Sequence, residues 1–361
     1  MRLVPVNELR PGMKIARSVY GSDSRLLLGA GVTLTPELLK RIRDLGISGL
    51  YIKDEFVGEI EVQDIISEKL KTRSLTVVRQ CFEKVRVEPK IDLRQISSLV
   101  SSILDEVLSF SSLLVSMIDV RSKDSHFFSH SVSVCTFALL TGIALGYDQL
   151  KLHQLGIGAL LHDIGKSRLD KELLTLQNPS PQELAKIQAH AAEGFEILRK
   201  IPEISILSAH VAFQHHERYD GTGYPRGLSQ NEIHPYAAIT AVANAFDLLV
   251  SPPHGPGMFP AKALEIILLE RGKAFDPEAA LALARQISPY PTGCTVRLSS
   301  GEIAVVLYAS KKHPTQPVVK VITDRHGKVR QEVFPEIDLS QHPELKIAGI
   351  LSETERSQLI S

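Results

Sequence analysis

From residue 123 to about residue 288 the apolar side chains recur at three- and four-residue spacing, and ten of the chain's 13 histidines fall inside this stretch. That period is the mark of amphipathic helices, so this part of the chain is constrained to fold as a packed set of helices. It must also accommodate imidazoles beside apolar runs, where an unused polar group is costly to bury.

The flanks read differently, and the 361 residues divide into four regions. Residues 1–57 read as a small α/β module: Lys14–Tyr20 alternates as a strand, Gly21-Ser22-Asp23 is turn material, and Arg25–Leu28 returns as its partner. Thr35 and Pro36 open a helix with its body over Glu37–Leu45, Gly46 stops it, and Ser48–Ile52 is a short strand. Residues 58–122 are helical, with Ile65, Leu70 and Val77-Val78 at helical spacing, a break at Pro89, and helices over Ile96–Leu104 and Val107–Val120. No chemistry is visible there. The region reads as a linker or as dimerisation structure, because its apolar stripes need burial and a homodimer would supply it.

After Pro289 the pattern changes to strands over Thr295–Leu298, Glu302–Ala309, Val318–Asp324 and Lys328–Phe334, separated by Ser-Ser-Gly and Arg-His-Gly turns. Residues 289–361 are thus a small antiparallel β unit. The fold class expected for the whole chain is mainly α.

Basic and acidic side chains balance at 41 each, so net charge gives no reason to expect a DNA or RNA polymer or a membrane surface as partner. The three cysteines, Cys81, Cys135 and Cys294, stand far apart without a CxxC pair, and read as buried, reduced thiols. The opening MRLVPVNELRPGMK has no apolar core of signal-peptide length. No uncharged apolar run is expected to reach the ~18–20 residues of a membrane span. These points predict a cytoplasmic protein.

Two constellations carry chemistry. His162-Asp163 closes the apolar run Leu155–Leu161, and an imidazole with a carboxylate is a mixed nitrogen and oxygen ligand pair suited to a divalent ion. Lys166, four residues after His162, falls on the same face if the helix continues, where it could neutralise a phosphate. Gly165-Lys166-Ser167 is not a phosphate-binding P-loop, since Leu160 stands where that motif needs glycine and a helix, not a strand, precedes it. The second constellation is His215-His216-Glu217-Arg218-Tyr219-Asp220-Gly221-Thr222-Gly223-Tyr224-Pro225. Gly221 and Gly223 let this loop fold tightly against a ligand. A zincin helix is excluded, because Asp220 occupies the place of its second histidine.

HDxGK at 162–166 followed by HHExxDGxGYP at 215–225 resembles the signature of the HD-GYP family, as do His130 in Ser-His-Ser-Val, His190 in Ala-His-Ala-Ala-Glu-Gly, and Ala-Val-Ala-Asn-Ala-Phe-Asp at 241–247. The resemblance covers residues 123–288 and implies an all-helical HD-superfamily phosphodiesterase domain that opens c-di-GMP or a relative such as cyclic GMP-AMP. The N-terminal stretch resembles the small module that often precedes such domains. The family's metals are iron or manganese, and the donor types also suit zinc.

Carried over residue by residue, the resemblance implies that His130, His162, Asp163 and Asn244 hold one metal. Asp163 would bridge to a second held by His190, His215 and His216. Asp163 and Lys166 take the catalytic roles; Lys166, Tyr224, Gly221 and Gly223 shape the substrate side. His126, Glu217, Asp220 and Asp247 would orient ligands or brace the loop. Two ions are expected, and a third is not.

Three departures from the family pattern stand out. The family usually has Asp where this chain has Asn244, whose amide oxygen carries no negative charge. His126 stands where some three-metal members place Glu. The stretch 251–260 has no Arg or Lys and four prolines, where the family usually grips the nucleotide. The expected function is hydrolysis of a cyclic dinucleotide, most readily c-di-GMP to the linear dinucleotide pGpG or to GMP. Two alternatives stay open: a degenerate sensor or scaffold that binds metal, nucleotide or a signalling protein without turnover, and a phosphohydrolase for another nucleotide.

Overall fold

The computed structural model describes residues 1–20, 26–45, 47, 49–58, 60, 64–88, 90–109, 126–253, 255, 257–310, 312–330 and 334–360. At the N-terminus, β1 (Arg2–Pro5), β2 (Val19–Tyr20), β3 (Leu26–Leu28), α1 (Pro36–Asp44) and β4 (Gly49–Ile52) form the α/β module. Thr35 caps α1 by accepting from the Leu38 amide at 3.2 Å, with Pro36 at the first helical position. The expected strand over Lys14–Tyr20 is only two residues long. Earlier in that segment Ile15 donates to Val32 while Lys14 accepts from Lys53, so it pairs with two different partners and no single ladder can run through it. β1 was not expected; it pairs antiparallel with β4, with Leu3 and Val4 buried. The expected turn at residues 21–23 and the stop at Gly46 lie outside the described residues.

Two long helices follow, α2 (Glu68–Val87) and α3 (Leu93–Ser109). The helix expected to begin at Val107 does not; Val107 lies inside α3 and is buried, and residues 110–125 lie outside the described set. Leu70, Val78, Phe82, Leu99, Val100 and Ile103 share one core with the helices that follow. These buried side chains of α2 and α3 are therefore covered within the chain.

The helical body comprises α4 (His126–Ala144), α5 (Gln149–Leu160), α6 (Lys171–Leu174), α7 (Pro181–Gln188), α8 (His190–Leu198), α9 (Ile206–Gln214), α10 (Pro235–Val250), α11 (Pro260–Leu269) and α12 (Pro277–Ala284). α4 is its axis: Val134, Cys135, Phe137, Ala138 and Leu139 are fully buried, and the Phe137 ring meets that of Phe246 on α10 edge to face at 5.1 Å. This corrects the expectation about apolar runs, because α4 has 19 residues and is long and apolar enough by composition to cross a membrane. Its apolar surface is explained by burial on all sides, 78% of its most apolar window lying inside the fold.

The C-terminal unit is an antiparallel sheet of β5 (Thr295–Leu298), β6 (Ile303–Tyr308), β7 (Val318–Val321), β8 (Glu336–Asp338) and β9 (Ile347–Ile350), in the order β8-β7-β6-β5-β9, followed by α13 (Glu353–Ile360). The expected strand at Lys328–Phe334 is displaced: Val329 only bridges back to Thr323 across a tight turn, and β7 pairs instead with Glu336–Asp338. Residues 331–333 lie outside the described set.

The two flanking units meet. Arg2 pairs with Glu353 and with Asp54 (2.9 Å), Arg356 pairs with Asp54 (2.5 Å), and the Leu3 amide donates to Gly293. Val57 and Ile60 pack with Val305 and Ile322 in a shared apolar cluster.

Candidate metal centre

Five histidines and one carboxylate converge from separate elements. His130 comes from the first turns of α4, His162 and Asp163 from the end of α5, His190 from the start of α8, and His215-His216 from the end of α9. α5 stops at Leu160 and a 3-10 helix follows over Ile164–Arg168, so the expectation that Lys166 shares a continuous helical face with His162 fails. The 3-10 helix packs directly on α8. A side chain at Gly165 would place its Cβ 2.0 Å from the His190 carbonyl, so this close approach admits only glycine. That requirement was not read from the sequence, although the glycine itself was visible in the motif.

The ring orientations are fixed by second hydrogen bonds. His162 Nδ1 donates to the Ala159 carbonyl at 2.8 Å, His190 Nδ1 to Ile187 at 2.6 Å, and His215 Nδ1 to Ala212 at 3.0 Å. His130 Nδ1 donates to Asp247 Oδ2 at 2.6 Å. With the proton held at Nδ1, each Nε2 presents a lone pair inward. These lone pairs surround Asp163: His190 and His215 lie 3.3 and 3.6 Å from Oδ1, His162 and His130 lie 3.4 and 3.9 Å from Oδ2.

His190 Nε2 and His215 Nε2 also face one another at 3.4 Å. Two lone pairs and a carboxylate at such range repel unless a cation lies among them. His162 Nε2, Asp163 Oδ1 and His216 Nε2 are buried without hydrogen-bond partners, which is costly in any site that polar atoms do not use. The donors form two sets sharing Asp163: Asp163, His190, His215 and His216 in one, His130, His162 and Asp163 in the other, with the ligand atoms of each set within 4.8 Å of one another. The residues fit divalent metal.

Burial holds these groups in their ligating states. Desolvation depresses His130, brings His215 down to about 3, and, helped by neighbouring His215 and His190, holds His216 well below its usual range. Burial pushes the Asp163 carboxyl up, but the adjacent Lys166 ammonium and the surrounding histidines outweigh it and leave it well below the carboxylate range. Below the histidine's usual 6.5 the unfolded chain takes up protons that these three buried rings refuse. Metal-free protein is therefore expected to lose stability as pH falls below about 6.5, by up to about 1.4 kcal/mol per pH unit per ring. Thermal unfolding between pH 7.5 and 5 checks this, and a flat midpoint would contradict it.

A model of the HD domain matches residues 115–279, and one of a KOW domain associated with the HD domain matches 295–359. A cyclic di-GMP phosphodiesterase of Pseudomonas aeruginosa is 32% identical, the match covering 91% of this chain and 87% of that protein. The chain belongs to the HD-GYP family. A cyclic di-GMP phosphodiesterase of Thermotoga maritima is 38% identical over 40% of this chain, and a 3'3'-cGAMP-specific phosphodiesterase of Vibrio cholerae is 34% identical over 48% of it. The chain spans about two-fifths of the length of these last two, 41% and 38%.

The GYP loop is built onto the metal cluster. Tyr224 stacks on the His216 ring at 4.6 Å, and its amide donates to the His216 carbonyl. Gly223 lies so close to His216 that a Cβ would sit 2.5 Å from that carbonyl, and Gly221 turns with φ of 80°. Buried Glu217 accepts from the Arg226 and Leu228 amides at 2.8 and 3.0 Å, and Asp220 accepts from the Thr222 amide and hydroxyl; both brace the loop and neither joins a donor set. Glu217→Ala is expected to cost about 1–3 kcal/mol for each orphaned amide, read by denaturant titration; an unchanged midpoint would contradict the bracing role.

The departures from the HD-GYP pattern are also placed. Asn244 is buried on α10, and no hydrogen bond holds its side chain among the described residues, whereas Asp247, fully buried one turn later, holds His130. His126 stacks over His130 at 6.1 Å and its Nε2 donates to the Ser251 carbonyl at 2.7 Å, tying the start of α4 to the end of α10. His153, without a motif around it, bonds Ser97 on α3 and joins neither donor set.

Proposed function

We propose that this chain hydrolyses c-di-GMP, with its His and Asp cluster as the reaction centre. The observation that carries this reading is the pair of donor sets sharing one buried carboxylate, with imidazole lone pairs facing each other across a gap that only a cation relieves. Asp163, His190, His215 and His216 would hold one ion; His130, His162 and Asp163, with the amide of Asn244, would hold the other. Nitrogen and oxygen donors without thiolate suit iron or manganese, and also zinc. Bound ions would supply Lewis-acid stabilisation of the phosphodiester and a reactive water near neutral pH.

The chain's own residues complete the site. Asp247 keeps the proton of His130 at Nδ1 and so keeps Nε2 free to ligate. Lys166 brings an ammonium to the edge of the cluster, where it can meet a phosphate oxygen. The ring of Tyr224, stacked on His216 and backed by Gly221 and Gly223, walls the substrate side. The relatives named for c-di-GMP and for 3'3'-cGAMP make these the two substrates to compare. Three buried, free thiols fit the cytoplasm as the compartment.

Asn244 favours a second reading, in which the chain binds metal and nucleotide without turnover. Both readings meet the same test: manganese-loaded native protein and Asn244→Asp are incubated with c-di-GMP and, separately, 3'3'-cGAMP, and products are resolved by chromatography. Faster loss of c-di-GMP with native protein supports the proposal. Cleavage by Asn244→Asp alone assigns the native chain to binding, and preferential cleavage of 3'3'-cGAMP changes the substrate.

A further inference from the structure

The two oxygens of Asp163 face unequal company. Oδ1 is the oxygen nearer His190 and His215, whereas Oδ2 is ion-paired with Lys166 Nζ at 2.6 Å while His162 and His130 stand farther off at 3.4 and 3.9 Å. The set with His190, His215 and His216 has four His and Asp donors, and the set with His130 and His162 has three, to which the uncharged amide of Asn244 would add only a weak ligand. Lys166 sits on one turn of 3-10 helix with 22% of its side chain exposed, while Asp163 is almost wholly buried. The ammonium is thus the movable partner of the pair, and the carboxylate the fixed one.

A divalent ion among His130, His162 and Oδ2 would lie beside that ammonium, and like charges so close repel strongly in a site shielded from water. We infer that Lys166 acts as a displaceable cation on the three-donor side, so that the centre loads in two unequal steps. The four-donor side fills first. The second ion binds well only when Lys166 swings off Oδ2, which an arriving phosphodiester draws it to do. The same side chain then serves as placeholder in the resting protein and as phosphate contact in the complex, making full loading depend on an anionic ligand. This inference rests on the metal-centre reading above.

The test is titration of the full metal-free chain with manganese(II) alone, followed by calorimetry and by electron paramagnetic resonance, for the native protein, Lys166→Met and Lys166→Arg. Native protein is expected to show a tight and a weak step, with spin-coupled pairs appearing only at excess metal. Lys166→Met is expected to tighten the weak step by about tenfold or more and the tight step much less, with coupled pairs near two equivalents; Lys166→Arg is expected to behave as native. Equal shifts of both steps, or none, would overturn the inference while leaving the metal centre intact. No manganese binding by any of the three would overturn the metal-centre reading and the inference with it.

Discussion

Asp163→Asn is expected to reduce cyclic-dinucleotide hydrolysis by about a thousandfold or more while leaving the metal-free fold as stable as the native one. Asp163 is the one carboxylate in either donor set among the described residues, and both sets use it. An amide removes the negative charge that four imidazoles and the Lys166 ammonium face, so affinity falls on both sides at once. In the metal-free protein, however, the amide N–H can donate to the lone pair of His190 or His215, which now have only a carboxylate and each other. The signature is therefore a normal thermal midpoint without metal and the loss of the upward shift that manganese gives the native protein. Metal analysis beside a thermal melt separates this from simple unfolding. A variant that keeps both ions and most of its turnover would refute the bridging role.

The second large effect lies in the flanking units. Asp54→Ala is expected to destabilise the flanking units by about 3–5 kcal/mol, because it leaves two buried guanidiniums, Arg2 and Arg356, short of a counter-charge. Asp54 also accepts from the Phe56 and Val57 amides at 3.0 and 3.1 Å, and those bonds go too. Asp54→Asn keeps acceptor geometry without charge and is expected to lose less. Denaturant titration read by hydrogen exchange should place the loss in β1, β4 and α13, with metal content of the helical body unchanged. Loss spread evenly over the molecule would show that the flanks and the body unfold as one unit.

The contrast between these two sites explains what the sequence could disclose. Most of the cluster was legible because His162, Asp163, His215 and His216 come in local words, HDxGK and HHExxDGxGYP, in which residue type and spacing suggest the chemistry. Asp247 was legible as a helper from its place on the helix after Asn244, but its partner was not: the hydrogen bond to His130 joins residues 117 positions apart. The Arg2–Glu353 pair spans 351 positions and left no local trace. Lys166 was expected on a helical face because apolar periodicity through Leu161 gives no sign that α5 ends at Leu160. In the same way α4 escaped notice as an apolar helix, since its serines and histidines interrupt the run without charging it. Strands fared worst where the chain changes partner within a few residues, as at Lys14–Ala16, because alternation reports burial and not which strand lies alongside.

The most direct test of the account is hydrolysis of c-di-GMP in 18O-labelled water by anaerobically purified protein loaded with iron(II) or manganese(II), beside chelator-treated protein and His162→Ala. The account predicts cleavage only by the loaded native chain, with one labelled oxygen entering the product phosphate for each bond opened. Intact c-di-GMP after incubation with native protein whose full metal content has been verified would contradict it.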